Sequence, residues 1–342
     1  MADCCSHKEV RFNILDHKVL LLAVAVVAAL AGSYAWPVLL PFRLSFMMYA
    51  RMLVWPLLLG LVMGGIVDQY VPREYVSVVL AGRRKRNIIY AVTWGFLMTL
   101  CSHGILALAV QLYKKGASAS SVVAFLLASP WANFPLTLML IGFFGLGKAL
   151  FIIFSAIVIA LIVGWIFQIL EVRGIVETNP DTVGIPPGLD IMADICKRAA
   201  GYHFDFIVEL KGIFKGIREL AGMILWWILL GTTLAAVAGA YIPTGFFHRF
   251  MGNSVGGMFG TLLAATVIET CSSGSSPLAF EIYRQTGALG NALMFLLGGV
   301  ATNYTEVALL WVNIGRRTAL WMPALCIPLI FLFGAIGNAF FR

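Results

Sequence analysis

Two cysteines occupy equivalent places in a motif that the chain carries twice. "CSHGILALAVQLY" at 101–113 returns as "CSSGSSPLAFEIY" at 271–283, which matches Cys101 to Cys271 and Ser102 to Ser272. A thiol in a mostly apolar segment is a soft ligand, suited to soft cations and thiophilic metalloids. The repeated position distinguishes these two cysteines from Cys326, for which plain packing is the expected role.

Polar residues recur in a second pair of apolar segments. "ASPWANFP" at 128–135 corresponds to "GGVATNYTE" at 298–306, and Asn133 matches Asn303. Prolines in the first copy and glycines in the second predict interrupted helices, whose free amides and carbonyls point to substrate sites in transporters. The candidate substrate contacts are Cys101, Ser102, His103, Ser129, Asn133, Cys271, Ser272, Thr302 and Asn303. Ordinary helix kinks, with the asparagines bonded to neighbouring helices, are the competing interpretation.

Ionisable residues inside apolar segments are candidates for proton coupling. Glu269 precedes the second cysteine by two positions, and Glu306 follows the second interruption. His103 lies two residues after the first cysteine and is a candidate proton relay, although a histidine bonded to a carbonyl would explain it equally well. Glu281 and Arg284 are expected at the end of a hairpin, in contact with water.

The composition predicts a polytopic membrane protein. The 342 residues are 61% hydrophobic and only 12% charged, compared with roughly 25% charged in a soluble domain. The formal net charge of +8 resides mostly in loops, so it predicts orientation and lipid contact rather than nucleic-acid binding. No cofactor or metal motif occurs. Nine apolar segments are long enough to be candidate spans: 19–40, 45–67, 88–113, 119–144, 149–170, 220–241, 255–283, 288–313 and 318–341.

Loop charges favour two hairpins over nine crossings. If every segment crosses, the 24 Lys and Arg residues divide equally between the two sides. If 88–113 and 255–283 instead turn back at the cysteine motifs, the cytoplasmic side holds 18 of them and the other side 6. Because Lys and Arg accumulate on the cytoplasmic side, re-entrant hairpins with a cytoplasmic amino terminus are preferred. A continuous helix with a small-residue packing face is the alternative.

The predicted fold is therefore an all-α polytopic membrane protein with two sequence-related, inverted halves. Each half carries a re-entrant helical hairpin and a broken helix. The division is 1–44 for an amino-terminal tail and extra transmembrane helix, 45–170 for the first repeat, 171–219 for a cytoplasmic amphipathic connector and 220–342 for the second repeat. Duplicated halves are a common plan of secondary transporters.

The cysteine motifs, the "KKGAS" after the first one, "AFLLASPWAN" and the late "TN" resemble a predicted-permease family that includes the trivalent organoarsenical efflux permeases. The resemblance covers roughly residues 45–341. It implies a multi-pass permease of the cell (inner) membrane that exports methylated or aromatic trivalent arsenicals, with Cys101 and Cys271 as contacts. The chain departs from many members in carrying His103 where they have a second cysteine.

Three classes of protein remain open. The favoured class is a secondary transporter, for a small thiophilic solute or, as an alternative, for a small oxyanion held by the broken-helix ends. A membrane-embedded thiol enzyme and an assembly subunit are the other two classes. The expected partners are a small-molecule substrate and membrane lipid, and the chain is a candidate homo-oligomer.

Overall fold

The fold is built from helices in every range described by the computed structural model. These ranges are 17–70, 85–97, 102–114, 116–131, 134–180, 206–268 and 272–341. No β-strand occurs within them. The expected all-α class is therefore confirmed.

Within the described ranges, the first half of the chain contains seven α-helices and two short 3-10 turns. The 3-10 turns are Pro37–Leu39, before α2, and Ser129–Trp131, after α5. The helices are α1 (His17–Gly32), α2 (Leu40–Tyr70), α3 (Lys85–Leu97), α4 (Ser102–Lys114), α5 (Ala119–Ala128), α6 (Phe134–Phe144) and α7 (Leu146–Val172).

The described part of the second half contains seven more helices in a similar order. They are α8 (Phe206–Tyr241), α9 (Thr244–Met251), α10 (Val255–Ile268), α11 (Ser272–Thr286), α12 (Leu289–Thr302), α13 (Tyr304–Asn313) and α14 (Arg316–Phe340).

Five helical stretches are long and apolar enough to cross a membrane. Two bent pairs raise that number to seven: α5 with α6 bends by 49°, and α9 with α10 bends by 101°. Neither α3 with α4 nor α10 with α11 forms such a pair within the described ranges. The predicted first span, 19–40, contains the shorter helix α1, which ends at Gly32 before a turn and a 3-10 segment.

Two turns with unusual backbone geometry recur at equivalent places in the halves. Gly116 and Gly287 both have positive φ, and each precedes the buried helix of its half. Gly145 and Gly315 have φ of 78° and 151° and separate the broken helix from the last helix of each half. Glycine is the residue that adopts positive φ without a steric penalty. The sequence repeat is thus accompanied by a repeat of turns.

Helices α5 and α12 form the innermost layer. All ten residues of α5 are buried, and in α12 every residue from Leu289 to Ala301 is buried. A helix that is apolar on all sides belongs in a core. Helix α7 packs on α5 and α14 packs on α12, while α3 and α4 cover α5 much as α10 and α11 cover α12.

The halves meet through long helices and through crossed contacts. Helices α2 and α8 pack along each other. Helix α4 of the first half contacts α13 of the second, and α11 of the second half contacts α6 of the first. In both cases, the helix that begins directly after a repeated cysteine contacts the helix that follows the interruption in the other half.

Two predicted domain boundaries fall inside helices. Position 44/45 lies within α2, and position 219/220 lies within α8, which runs unbroken from Phe206 to Tyr241. The charged stretch 206–219, expected as part of an interfacial connector, is the beginning of α8. Leu, Glu, Lys and Ile continue there without proline, so the backbone has no reason to stop where polarity changes.

Candidate functional site

The tips of the predicted hairpins are only partly described. Cys101, Asn133, Glu269 and Cys271 lie outside the described residues. Ser102 and His103 are the first two residues of α4, and Ser272 is the first residue of α11. Helix α3 ends at 97 and α4 begins at 102, and in the second half α10 ends at 268 and α11 begins at 272. The described helices therefore lie on either side of both cysteines.

The first interruption is a 3-10 turn that follows α5 directly. Ser129 is fully buried, and its hydroxyl donates to the Phe125 carbonyl at 2.7 Å. Helix α3 passes close by, because a Cβ added at Gly95 would lie 2.7 Å from the Ser129 Oγ. The serine hydroxyl is thus held against its own helix at the end of α5.

The second interruption separates α12 from α13 and has its own polar contacts. The Thr302 hydroxyl bonds the Gly298 carbonyl at 2.7 Å and lies 2.7 Å from the Thr266 hydroxyl of α10. The Asn303 side-chain oxygen accepts from the Thr305 amide at 2.9 Å, which makes Asn303 the N-cap of α13. The helix resumes immediately because its first turn is capped.

Glu306 lies in the first turn of α13 and is 4% exposed. It is close enough for electrostatic interaction with the Cys326 thiol of α14, which is fully buried. A carboxylate in the first turn is also favoured by the helix dipole. Glu306 thus lies at the start of α13 beside a buried thiol, and its part in proton coupling stays a prediction.

One small void lies between the two interruptions. Leu127 and Trp131 reach it from the first half, and Val300 and Ala301 reach it from the second. The Cys326 side chain and residues of α7 complete its apolar wall. The void has room for about one water molecule. The ends of α5 and α12 thus line one small void together with α7 and α14.

The second cysteine motif supplies a close helix contact. A Cβ added at Gly274 would lie 2.7 Å from the Trp227 carbonyl, and one at Gly231 would overlap the Gly274 carbonyl. Ser272, Ser273, Ser275 and Ser276 are all buried. The small residues of this motif therefore allow α11 to pack directly on α8, as the packing-face alternative predicted for them.

The interpretation of Glu281 as solvated is wrong. Glu281 is fully buried in α11 and forms an ion pair with Arg284 at 2.7 Å. Its carboxylate also accepts from the Gln285 amide at 2.6 Å and from the Tyr49 hydroxyl of α2. Sequence reasoning missed this site because Glu281 is two residues from the end of its predicted segment, 255–283. Gln111 at the matching position of the first half was the available signal that this site is specific to one half.

Aromatic rings surround the carboxylate on the side of the first half. Phe143 of α6 stacks on Phe280 with ring centroids 5.1 Å apart, and Tyr49 meets both rings edge-on. The Lys148 ammonium of α7 bonds the Tyr283 hydroxyl. A buried charge is tolerated only when it is paired and hydrogen-bonded, and here the pairing joins α2, α6 and α11.

Outside the membrane-spanning part, Glu177 joins the end of α7 to the start of α14. Its carboxylate accepts from the amides of Arg317 and Thr318 at 2.9 and 2.8 Å and from the Thr318 hydroxyl. Burial alone would raise the pKa of Glu177, but these hydrogen bonds outweigh it and lower the pKa below its usual range. The carboxyl-terminal end of α7 and the amino-terminal end of α14 therefore lie on the same side of the molecule.

An all-helical membrane protein whose two most buried helices break beside each other has the construction of a transport protein. Residues 42–339 match the family described as predicted permease, and the chain belongs to that family. The resemblance seen in the sequence motifs is confirmed. No curated protein and no solved structure matches the chain.

Proposed function

We propose that this permease is a secondary transporter that exports a small thiophilic solute across the inner membrane, with trivalent organoarsenicals as the substrate class. The observation that carries the proposal is the shared void between the two interruptions, lined by Leu127 and Trp131 from one half and Val300 and Ala301 from the other. Such discontinuous helices at a repeat interface are where transporters hold their substrates.

The repeated cysteines would supply the soft thiol ligands for the substrate near the two interruptions. Cys101 and Cys271 immediately precede α4 and α11, and these two helices make the crossed contacts with α13 and α6. A thiolate binds arsenic(III) well, and a thiol in an apolar setting must lose its proton on binding and regain it on release. Two thiols that alternate between these states suit a carrier, which must release what it binds.

Alternating access is part of the proposal. The void described between α5 and α12 has room for about one water molecule, which is too small for an organoarsenical. Binding requires the ends of α5 and α12 to separate. The long α2–α8 contact and the crossed contacts between halves are the surfaces along which such a movement would occur.

The hairpin topology is part of the proposal and has support from three contacts. Glu177 contacts Thr318, Lys148 contacts Tyr283, and Tyr241 donates to the Val38 carbonyl. With nine full crossings, each of these pairs would have its members on opposite sides of the membrane. With two hairpins that turn back, every pair shares one side.

Recognition of an oxyanion by the interrupted helices has weaker support. The Ser129 hydroxyl is engaged with the Phe125 carbonyl, and the Thr302 hydroxyl with the Gly298 carbonyl. The Asn303 oxygen is engaged by Thr305. In this conformation the polar groups serve the helix ends, so the thiols remain the better candidates for substrate contact.

Uptake into everted vesicles, measured for trivalent methylated and aromatic arsenicals, antimonite, phosphate and arsenate, tests the proposal. We expect energy-dependent uptake of the trivalent organoarsenicals. Cys101→Ser and Cys271→Ser should each remove it at unchanged membrane abundance, because serine keeps the size but loses the soft donor. Cys196→Ser, outside the apolar segments, is the matched control.

Two results would contradict the proposal. Uptake of arsenate or phosphate without uptake of trivalent arsenicals would establish the oxyanion alternative. Chemical conversion of the arsenical by purified protein in liposomes, without its accumulation, would establish the thiol enzyme.

A further inference from the structure

A groove outside the transport site lies between α1 and the first half of α2. Its volume is about 770 Å³, and one wall is formed by Val27 and Leu30 of α1. The opposite wall carries three methionines and two arginines from α2. The matched family region begins at residue 42, so the α1 wall belongs to a helix that lies before it.

The arginines are placed where a membrane protein rarely leaves a charge. Arg43 and Arg51 belong to Pro37–Met63, a candidate membrane span, and Arg51 lies close to its middle. A charged side chain at that depth is costly unless a partner is present. Such a residue is therefore the first place to look for an anion.

The protein does not supply that anion in the part of the chain that is described. Arg43 lies over the Tyr34 ring, with 4.4 Å from its guanidinium carbon to the ring centroid. Arg51 makes no hydrogen bond or ion pair with any described residue. No Asp or Glu lines the groove. Within the described ranges the groove therefore carries positive charge without an acidic partner, which favours an anionic ligand.

The remaining wall restricts what this partner can be. Met47, Met48 and Met52 face the groove together with Leu44. Met47 and Leu44 are exposed on the outer surface of a membrane span, so the groove opens toward lipid rather than toward the void between α5 and α12. Flexible methionine side chains adapt to irregular hydrocarbon. The occupant must therefore combine an anionic group with alkyl chains.

The side chains of the two arginines extend toward the same end of the span. They are eight residues apart, which is about 12 Å along the helix axis. Helical side chains lean toward the amino-terminal end of their helix, so Arg51 leans toward Arg43 and the turn at Pro37. Long arginine side chains reach toward the membrane surface in this way. Both guanidinium groups can meet one headgroup in the leaflet next to the α1–α2 turn.

We propose that the groove between α1 and α2 binds one anionic phospholipid, with its phosphate at Arg51 and Arg43 and its acyl chains along the methionines. The lipid supplies the counter-charge that the protein lacks. It also fills the space between α1 and α2, which contact each other only sparingly. The site does not depend on the transported substrate.

Lipid retention measures this binding directly. Purified protein is equilibrated with vesicles of equal parts phosphatidylglycerol and phosphatidylcholine, re-extracted, washed with detergent and analysed by mass spectrometry. We expect retained phosphatidylglycerol to exceed phosphatidylcholine by about fivefold or more, since each basic residue contributes about 1 kcal/mol to anionic lipid binding. Arg51→Gln should reduce the ratio about fivefold, and Arg51→Lys should largely keep it.

Two further variants separate charge from folding. Arg249→Gln removes an exposed arginine on α9, outside the groove, and should leave the ratio unchanged. Ala31→Trp keeps both arginines but fills the groove, and should release the lipid even if Arg51→Gln cannot be purified. Equal retention of both lipids by the parent protein would overturn the proposal. So would an unchanged ratio in Ala31→Trp, or a dimer that dissociates in that variant, which would place a second copy in the groove.

Discussion

Gly274 shows how one residue of a motif can serve packing while its neighbour serves chemistry. It follows Cys271 by three positions, and its Cα faces the Trp227 carbonyl of α8. Only a residue without a side chain permits this approach, which is a common device between membrane helices. The fourth position of the motif therefore requires a residue without a side chain, and a role for the thiol at its first position stays a proposal.

Gly274→Ala should destabilise the folded protein by about 1–3 kcal/mol, because the new methyl group meets backbone that cannot move aside. The measurement is the unfolding temperature in detergent, together with the amount of folded protein in the membrane. Gly147→Ala is the control, since nothing lies within 4 Å of a Cβ at that position. Equal behaviour of the two variants would show that α8 and α11 are not in close contact.

Glu281 takes part in a buried polar contact between the two halves. Tyr49 reaches it from the first half, and Arg284 and Gln285 reach it from its own helix. Removing its charge leaves Arg284, which is 37% exposed, without its partner. Loss of a hydrogen-bonded buried charge is costly mainly because of the groups that it leaves behind.

Glu281→Gln should cost about 2 kcal/mol of stability, the scale of hydrogen bonds to a charged group. The double variant Glu281→Gln with Arg284→Gln should recover part of this loss, because it removes the unpaired guanidinium. Thermal unfolding of the parent, the two single variants and the double variant forms a double-mutant cycle. Strictly additive losses would mean that the pair does not interact.

Among the elements, the second interrupted helix ends as α12 and begins again as α13 within the core. Helix α13 starts at once after α12 because Asn303 caps it. The asparagine was predicted as a substrate contact, and its cap offers a structural reason for the same residue. The two roles can be separated by choosing substitutions that keep the cap.

Asn303→Ala should cost about 1 kcal/mol through loss of the N-cap, and Asn303→Ser should cost less because serine also caps helices. Transport and folded abundance are measured for both. If Asn303 also contacts the substrate, Asn303→Ser will fold as the parent does and still transport poorly. Full transport by Asn303→Ser would limit the residue to capping.

The join between α7 and α14 should depend on pH through Glu177. Its pKa is lowered in the folded protein, so its carboxylate stabilises the fold above the usual pKa, near 4.5, and this contribution is lost as pH falls through the folded value. The difference in unfolding temperature between parent and Glu177→Gln should therefore be constant near pH 7 and shrink below about pH 4.5. A difference that persists to pH 3 would rule out the carboxylate as its cause.

Sequence alone predicted the helical class, the two interruptions and the family, while the inverted relation of the two halves stays a prediction. It did so because proline, glycine and cysteine matches in register carry information that leucine matches do not. It did not predict the burial of Glu281, since partners such as Tyr49 are 232 residues away along the chain. It also placed a boundary inside α8, because polarity changes at 219/220 while helix propensity does not.

At the scale of the whole molecule, the contacts at each end predict which residues share a side of the membrane. Lys114 of α4 and Glu177 should lie on the cytoplasmic side, and Lys148 of α7 should lie on the other. Lys114→Cys and Lys148→Cys, in a background without other accessible thiols, can be labelled by an impermeant maleimide. Labelling of Lys114→Cys from outside intact cells, with Lys148→Cys protected, would contradict the hairpin topology and support nine full crossings.

Helix α8 extends beyond what membrane crossing requires. It has 36 residues, and only Ile224–Tyr241 is apolar enough to span. Gly231, which packs on Gly274, lies about 33 Å from Glu209 near its charged end. The helix contains no proline, so it transmits tilt as a stiff rod does. A tilt of about 5° would displace one of these points by about 3 Å relative to the other. A tilt of the charged end would therefore move the contact between Gly231 and Gly274, where α8 meets the second cysteine motif.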